Sequence, residues 1–295
     1  MTILRADGLS KNYGKVKALR DVSFEIPSGS VFGILGPNGS GKTTLLATVL
    51  EILFPSAGRF LWFESPDATL ASLRRRIGTL LETPNYYPYL TGAQNLAITA
   101  SIRGQGAEQI PEALKQVGLG DCEKLPFSNY SLGMKQRLAI GGCLLGDPDV
   151  LVLDEPTNGL DPAGIADVRT IIGELRGRGK TIILASHLLD QVEKVCTHVA
   201  ILKKGELLEV GTMEQVLRQD SVIDVDANDF ETLKMALEAY TPPLHITARE
   251  GGFRVSGQVK AEDLNRYCFE KGLTLGLLHT HKRDLESRFL ELTDE

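Results

Sequence analysis

The fold is decided by the stretch Gly36-Pro37-Asn38-Gly39-Ser40-Gly41-Lys42-Thr43-Thr44. An apolar run predicted as a strand, Ser30 to Leu35, leads into it, and an apolar run predicted as a helix, Thr43 to Phe54, follows. The pattern G-x-x-x-x-G-K-[ST] between a strand and a helix is typical of a phosphate-binding loop, in which Lys42 reaches the β- and γ-phosphates and Thr43 holds Mg²⁺. Glycines let successive N–H groups point at phosphate oxygens, and the helix adds its positive end. A glycine-rich turn without a ligand is the alternative, but the loop by itself favours a nucleotide-binding site.

A second polar stretch ends a predicted buried strand. Val150-Leu151-Val152-Leu153 leads into Asp154-Glu155-Pro156. In a doubly wound sheet, a carboxylate at the carboxyl end of a parallel strand lies beside the phosphate loop. We therefore predict that Asp154 holds Mg²⁺, through water, and that Glu155 accepts a proton from an attacking water molecule. The alternative is a polar strand end that only caps a turn.

The residues before this strand resemble a known motif. Tyr130-Ser131-Leu132-Gly133-Met134-Lys135-Gln136-Arg137 resembles the signature motif of the ATP-binding cassette (ABC) ATPases, although Leu132 replaces a glycine and Met134 replaces a glutamine. Leu160-Asp161 resembles the D-loop of that family, and His187, after the predicted strand Thr181 to Ala185, resembles its switch histidine. Tyr13 matches the aromatic residue that stacks on adenine. The resemblance covers roughly residues 1–217.

The resemblance implies an ATPase with ATP and Mg²⁺ as cofactors. It implies catalytic roles for Lys42, Glu155 and His187, and metal binding by Thr43, Asp154 and Glu82. Glu82 stands where the family usually has glutamine, so it can bind a metal or water but cannot donate a hydrogen bond as an amide does. The residues expected at the nucleotide are Tyr13, Gly36, Pro37, Asn38, Gly39, Ser40, Gly41, Lys42, Thr43, Thr44, Ser131, Gly133 and Asp161.

The resemblance also implies two protein partners. In ABC ATPases, the signature motif of one subunit closes over the nucleotide of another. By this resemblance, Ser131 and Gly133 would cover the nucleotide of a partner subunit, which implies a head-to-tail homodimer or a dimer with a homologous ATPase. Glu82, the signature spelling and the ending Leu285 to Leu292 resemble bacterial exporters of the bacitracin-resistance and multidrug type, whose permease is a separate chain. A soluble ABC ATPase of translation or DNA repair and an importer ATPase remain alternatives.

Composition narrows the class of protein. The chain has 295 residues and a formal net charge of −6, which gives no support for nucleic-acid binding. Its 4 cysteines form no C-x-x-C pair and are expected to be buried or idle thiols. No apolar run approaches the length of a membrane span, and the N-terminus lacks the features of a signal peptide. We therefore expect a cytoplasmic protein, held at the inner face of the membrane by its permease.

The patterns predict an α/β fold in two domains. Residues 1–217 are expected to form a RecA-like P-loop core with an inserted helical subdomain at about 84–145, and residues 218–295 a small α+β accessory domain of ferredoxin-like order, βαββαβ plus a final helix. Between the core and the predicted helices lie Tyr86, Tyr87 and Tyr89, which are three of the chain's 7 tyrosines. They are expected either to form a protein interface or to pack the helical subdomain against the core.

Overall fold

The structure, a computed structural model, describes residues 1–65, 70–81, 85–122, 124–217, 221–257, 259–281 and 284–293. These residues fall into two compact units, Met1–Thr212 and Met213–Glu295. The strands of the first unit are β1 (Thr2–Tyr13), β2 (Val16–Pro27), β3 (Val31–Leu35), β4 (Ala57–Trp62), β5 (Ile77–Leu80), β6 (Val150–Asp154), β7 (Thr181–Ser186), β8 (His198–Lys203) and β9 (Glu206–Thr212). Its helices are α1 (Lys42–Val49), α2 (Leu70–Arg76), α3 (Gly92–Arg103), α4 (Ile110–Gln116), α5 (Leu132–Leu144), α6 (Pro162–Gly177) and α7 (Leu189–Val195).

A six-stranded sheet organises the first unit. Its strand order is β5-β6-β7-β3-β8-β9, and all neighbours are parallel except β8 and β9. The strands β3, β6 and β7 are buried along their whole length, which explains their continuous apolar sequences. Because β7 pairs with both β3 and β6, the carboxyl ends of these strands meet at one edge. This sheet confirms the predicted α/β core and places the phosphate loop beside Asp154 and Glu155.

A helical segment, α3 to α5, is inserted between β5 and β6, as predicted. The helix α3 begins with a capping box, in which the Thr91 hydroxyl accepts a hydrogen bond from Gln94 N and the Gln94 side chain accepts one from Thr91 N, and it ends at Gly104 in the left-handed conformation. Ser131 caps the start of α5 by accepting a hydrogen bond from Met134 N. The predicted start of the insertion, at residue 84, lies outside the described residues.

The helix after the phosphate loop is shorter than predicted. The sequence suggested that it continues to Phe54, but α1 ends at Val49. The Val49 carbonyl accepts a hydrogen bond from Trp62 Nε1 at 2.7 Å, and Glu51 has a left-handed φ of 56°. The tertiary contact and the backbone reversal stop the helix, so Ile52 and Phe54 are exposed rather than part of a buried helical face.

The second unit has its own sheet and core. Its elements are α8 (Met213–Leu217), β10 (Ser221–Ala227), α9 (Phe230–Glu238), β11 (His245–Arg249), β12 (Gly252–Gly257), α10 (Ala261–Glu270), β13 (Leu275–His281) and α11 (Leu285–Thr293). The strand order β11-β12-β10-β13, with antiparallel pairing throughout, is that of a ferredoxin-like fold and confirms the predicted architecture. The apolar face of α9 is buried at Leu233 and Leu237, whereas Phe230 is exposed at its edge and stacks on Phe253 at 4.3 Å.

We expect Leu233→Ala to destabilise the second unit alone. Leu233 lies fully buried in the core of that unit, so truncation should lower its free energy of unfolding by about 2–5 kcal/mol. Met235→Ala is the matched control, because Met235 lies on the same helix and is 64% exposed. Circular dichroism in urea should show an earlier transition only for Leu233→Ala. The fluorescence of Trp62, the chain's 1 tryptophan, reports on the first unit, and an equal shift of that signal would contradict the prediction.

Candidate functional site

The phosphate loop joins β3 to α1 in a conformation that requires glycine. Gly41 has a φ of 109°, and a Cβ added there would lie 2.6 Å from the Ala18 carbonyl oxygen. The loop is closed by hydrogen bonds from Ser40 N to the Pro37 carbonyl, 3.1 Å, and from Gly205 N to the Ser40 carbonyl, 2.8 Å. Within the described ranges no side chain caps the first turn of α1, so its N–H groups face outward as donors. Such a turn is suited to binding an anion.

Lys42 is a buried cation at the centre of the site. Its side chain is 6% exposed. Its Nζ donates a hydrogen bond to the Gly36 carbonyl at 2.8 Å, and it lies 3.5 Å from Glu155 Oε1. The loop carbonyl and the carboxylate offset the cost of burying this charge. A bound phosphate would offer the same ammonium group a stronger anionic partner.

Thr43, the residue after Lys42, brings its hydroxyl oxygen into contact with the Asp154 carboxylate. The Thr43 hydroxyl donates a hydrogen bond to Asp154 Oδ2 at 2.7 Å, although the two residues lie far apart in sequence. Hydroxyl and carboxylate oxygens from two rigid elements, the start of α1 and the end of β6, are the donor set that Mg²⁺ prefers. The residues present therefore fit this ion. Glu82, the third residue predicted to bind metal, lies outside the described residues.

Glu155 is held in a backbone conformation that the sequence does not signal. Its φ is 49°, in the left-handed region, which costs a non-glycine residue of the order of 1–3 kcal/mol. Its N–H donates to the Ala185 carbonyl at 2.9 Å, which ties it to β7. Its Oε2 lies 2.9 Å from His187 Nδ1, just beyond the end of that strand. The strained turn thus directs one carboxylate oxygen at Lys42 and the other at His187.

The remaining predicted residues lie on other elements. Ser131 caps α5, and Asp161 caps α6 by accepting a hydrogen bond from Gly164 N at 3.0 Å. The starts of these two helices are adjacent, because a Cβ on Gly133 would lie 3.9 Å from Gly164 Cα. Tyr13 ends β1, half-exposed, with Lys11 Nζ 5.2 Å from its ring centroid. None of these contacts reaches the cluster around Lys42.

The segment that contains Tyr86, Tyr87 and Tyr89 has one packed tyrosine and two exposed ones. Tyr86 packs edge-on against Phe127, with ring centroids 5.4 Å apart, and burial raises the pKa of its phenol. Tyr87 and Tyr89 are exposed, and their rings lie 5.9 Å apart. Tyr86 therefore packs within the helical segment, and a protein interface at Tyr87 and Tyr89 stays a prediction.

Sequence reasoning missed the residue that shapes this segment. Asn95 is buried in α3, where its Oδ1 accepts a hydrogen bond from Tyr87 N at 2.9 Å and its Nδ2 donates to the Tyr87 carbonyl at 3.1 Å. The available signal was a polar residue on an otherwise apolar helix face, just inside the capping box. Asn95 thus fixes the backbone that presents Tyr87 to solvent.

Outside the cluster around Lys42, the described residues were compared with the requirements of metal sites, reactive thiols and membrane spans. They contain no group of His, Cys, Asp and Glu that could hold a further metal ion. Cys143, Cys196 and Cys268 are buried free thiols, and burial raises the pKa of Cys143 to about 12, so its reactive thiolate is disfavoured. Among the helices of the described ranges, none combines the length and apolar character needed to span a bilayer.

Comparison with known proteins gives consistent matches. The sequence matches the ABC transporter family over residues 19–158. It is 32% identical over 295 residues to the bacitracin transport ATP-binding protein BcrA of Enterococcus faecalis, covering 98% of this chain and 96% of that protein. It is 37% identical over 206 residues to the lantibiotic transport ATP-binding protein SrtF of Streptococcus pyogenes, covering 70% and 89%. A solved ATP-binding cassette of an ABC transporter, in its ADP conformation, aligns with a TM-score of 0.68 and 28% identity over 74% of this chain and 95% of that chain.

We expect Lys42→Ala to weaken nucleotide binding by about 10- to 100-fold, because the phosphates lose a charge-assisted hydrogen bond. Titration of the purified chain with a fluorescent nucleotide measures this directly. Lys115→Ala, at an exposed lysine near the end of α4, is the control and should bind as the parent does. Unchanged affinity in Lys42→Ala would remove Lys42 from the phosphate site.

Proposed function

This chain belongs to the ABC transporter ATP-binding proteins, and from that premise we propose that it is the ATP-hydrolysing subunit of a membrane exporter. The observation that carries the proposal is the contact network of Lys42, Thr43, Asp154, Glu155 and His187, which lies at the edge of the sheet where the phosphate loop ends. The alignment with a bacitracin transport protein along nearly the whole chain supports an exporter. We assign nucleotide binding to the first unit and an accessory role to the second.

The residues of the network have separate roles in hydrolysis. Lys42 and the loop N–H groups bind the β- and γ-phosphate oxygens, and Thr43 with Asp154 would hold Mg²⁺. When bound, this ion supplies positive charge that stabilises the phosphate oxygens during transfer. Glu155 accepts the proton of the attacking water at a carboxylate oxygen. His187 orients that carboxylate through its Nδ1 contact, and Tyr13 offers its ring to adenine.

The chain supplies two kinds of half-site that are completed in a dimer. One half is the phosphate loop, and the other is the exposed start of α5, with Ser131 and Gly133, beside Asp161 at the start of α6. A head-to-tail pair, with a second copy or a homologous ATPase, would place each loop against the α5 start of its partner. ATP then holds the two subunits together, and loss of the γ-phosphate lets them part.

The membrane path belongs to a separate permease. Tyr87 and Tyr89 are exposed aromatic residues on a segment that Asn95 holds in place, and such residues are enriched in protein interfaces. We propose that this side of the first unit faces the permease, which would keep the chain at the cytoplasmic face of the membrane.

The substitution Glu155→Gln should leave ATP binding intact and lower the rate of ATP hydrolysis by about 10²- to 10⁴-fold, because the amide cannot accept the proton of water. An ATP-bound dimer should then accumulate, as measured by gel filtration with light scattering. Glu174→Gln, at an exposed position on α6, is the control and should hydrolyse ATP at the parent rate. Normal steady-state hydrolysis by Glu155→Gln would show that another group acts as the base.

The exporter proposal can be tested by affinity purification of this chain from gently solubilised cells, followed by mass spectrometry. A membrane protein with several spans should co-purify in stoichiometric amount. Ribosomal or DNA-repair partners without a membrane protein would contradict the proposal and favour a soluble ABC ATPase.

A further inference from the structure

A pocket of about 300 Å³ opens within the second unit, between the end of α9 and one face of α10. It is lined by residues 239–241, which follow α9, and by Asp263, Arg266, Tyr267 and Glu270 on α10. This volume lies at the lower end of the range for small-molecule sites. The proposed function gives the second unit an accessory role and uses none of these residues.

Two tyrosines form an aromatic corner in this pocket. The rings of Tyr240 and Tyr267 are nearly perpendicular, at 85°, and their centroids lie 4.9 Å apart. The face of an aromatic ring attracts cations. The Tyr267 ring already does so within the chain, because Lys271 Nζ lies 5.6 Å from its centroid. The aromatic corner therefore favours a ligand that carries a positive charge.

Two carboxylates flank the aromatic corner along α10. Asp263, Tyr267 and Glu270 follow the spacing i, i+4, i+7, which places them on one face of the helix. In the part of the chain that the structure describes, neither carboxylate forms an ion pair, although Arg266 lines the same pocket. Burial, and after it the charge of Asp263, raises the pKa of the Tyr240 phenol, so this carboxylate acts directly on the aromatic corner.

The pocket carries a net negative charge. Among the lining residues described, the two carboxylates outnumber the one guanidinium, that of Arg266. The residues that follow the last turn of α9 also line the pocket, and the carboxyl end of a helix carries a partial negative charge. A cation is therefore attracted to this pocket, whereas an anion would be repelled.

We propose that the pocket binds a small linear diamine in its doubly protonated form, with one ammonium group at Asp263 and the other at Glu270. Seven positions separate these residues, which corresponds to about 10 Å along the helix axis. An alkyl chain of about five carbons covers this separation when each ammonium lies ~2.8 Å from its carboxylate. The chain then lies across the Tyr267 ring, between the two acids. This inference goes beyond the proposed function, because it gives the second unit a ligand of its own.

The first test titrates the full chain with 1,5-diaminopentane at about 0.15 M ionic strength and follows the ligand by nuclear magnetic resonance. Saturable binding with a dissociation constant of the order of 1 mM is expected, because each exposed ion pair contributes little. Butylamine, which has a single ammonium group, should bind at least about 3-fold more weakly, and the neutral 1,5-pentanediol should not bind. Absence of saturable binding of the diamine up to about 20 mM, or equal binding of butylamine, would overturn the proposal.

Substitutions of the two acids locate the ligand in the pocket. Asp263→Asn and Glu270→Gln should each weaken binding of the diamine by about 2- to 5-fold, because each removes one ion pair. Glu262→Gln is the matched control, since Glu262 is an exposed acid on α10 outside the pocket lining, and it should bind the diamine as the parent does. Equal weakening by Glu262→Gln and Asp263→Asn would show that the diamine responds only to net charge, and would overturn the proposal.

Two further substitutions test the arrangement of the groups around the ligand. Arg266→Gln should strengthen binding by about 2- to 5-fold, because it removes the cation with which the diamine competes. Tyr267→Leu keeps an apolar side chain without an aromatic face, and should weaken binding by about 3-fold. Circular dichroism of each variant verifies that it is folded. Parent-like binding by a folded Tyr267→Leu variant would overturn the proposal and leave the exporter proposal standing, because the phosphate network lies in the first unit.

Discussion

The site depends on where one buried ammonium group is held. Lys42 Nζ contacts the Gly36 carbonyl at 2.8 Å and lies 3.5 Å from Glu155 Oε1. An isolated charge would be strongly disfavoured inside the protein, so the fold must bring oxygen atoms to it. The sheet does so, because β7 pairs with both β3 and β6 and aligns their carboxyl ends. The same alignment brings Thr43 to Asp154 and His187 to Glu155, so one strand order supplies the long-range contacts of the network.

The network is built from one chain, but the function that we propose needs two. Ser131 and Asp161 each cap a helix by accepting a backbone hydrogen bond, and they lie on adjacent helix starts rather than among the contacts of Lys42. A capped helix start is a rigid platform whose next N–H groups face outward. In the proposed dimer this platform covers the phosphates of the partner subunit. In that proposal, the two halves of the site belong to different subunits.

The helix α5 runs from the proposed half-site into the buried part of the first unit. Its first turn begins after Ser131, and its last turn offers the Cys143 carbonyl to Arg103. Residues 138–144 of α5 are buried, so close packing holds the last turns of this helix in place. The second unit has a separate hydrophobic core around Leu233, Val255 and Leu264.

The sequence by itself determined the central chemistry and nearly all of the element order. Short stretches of sequence are enough to recognise the phosphate loop, the strand end at Asp154-Glu155 and the βαββαβ pattern. Glycine positions, apolar periodicity and polar strand ends are the local signals that identify them. Only the tertiary structure decided the end of α1 at Val49, the left-handed turn at Glu155 and the partly buried position of Arg103 beside the Cys143 carbonyl. Each of these depends on a partner distant in sequence, such as Trp62 for Val49 and Ala185 for Glu155. Local patterns specify which element forms, whereas long-range packing specifies where it stops and what its side chains face.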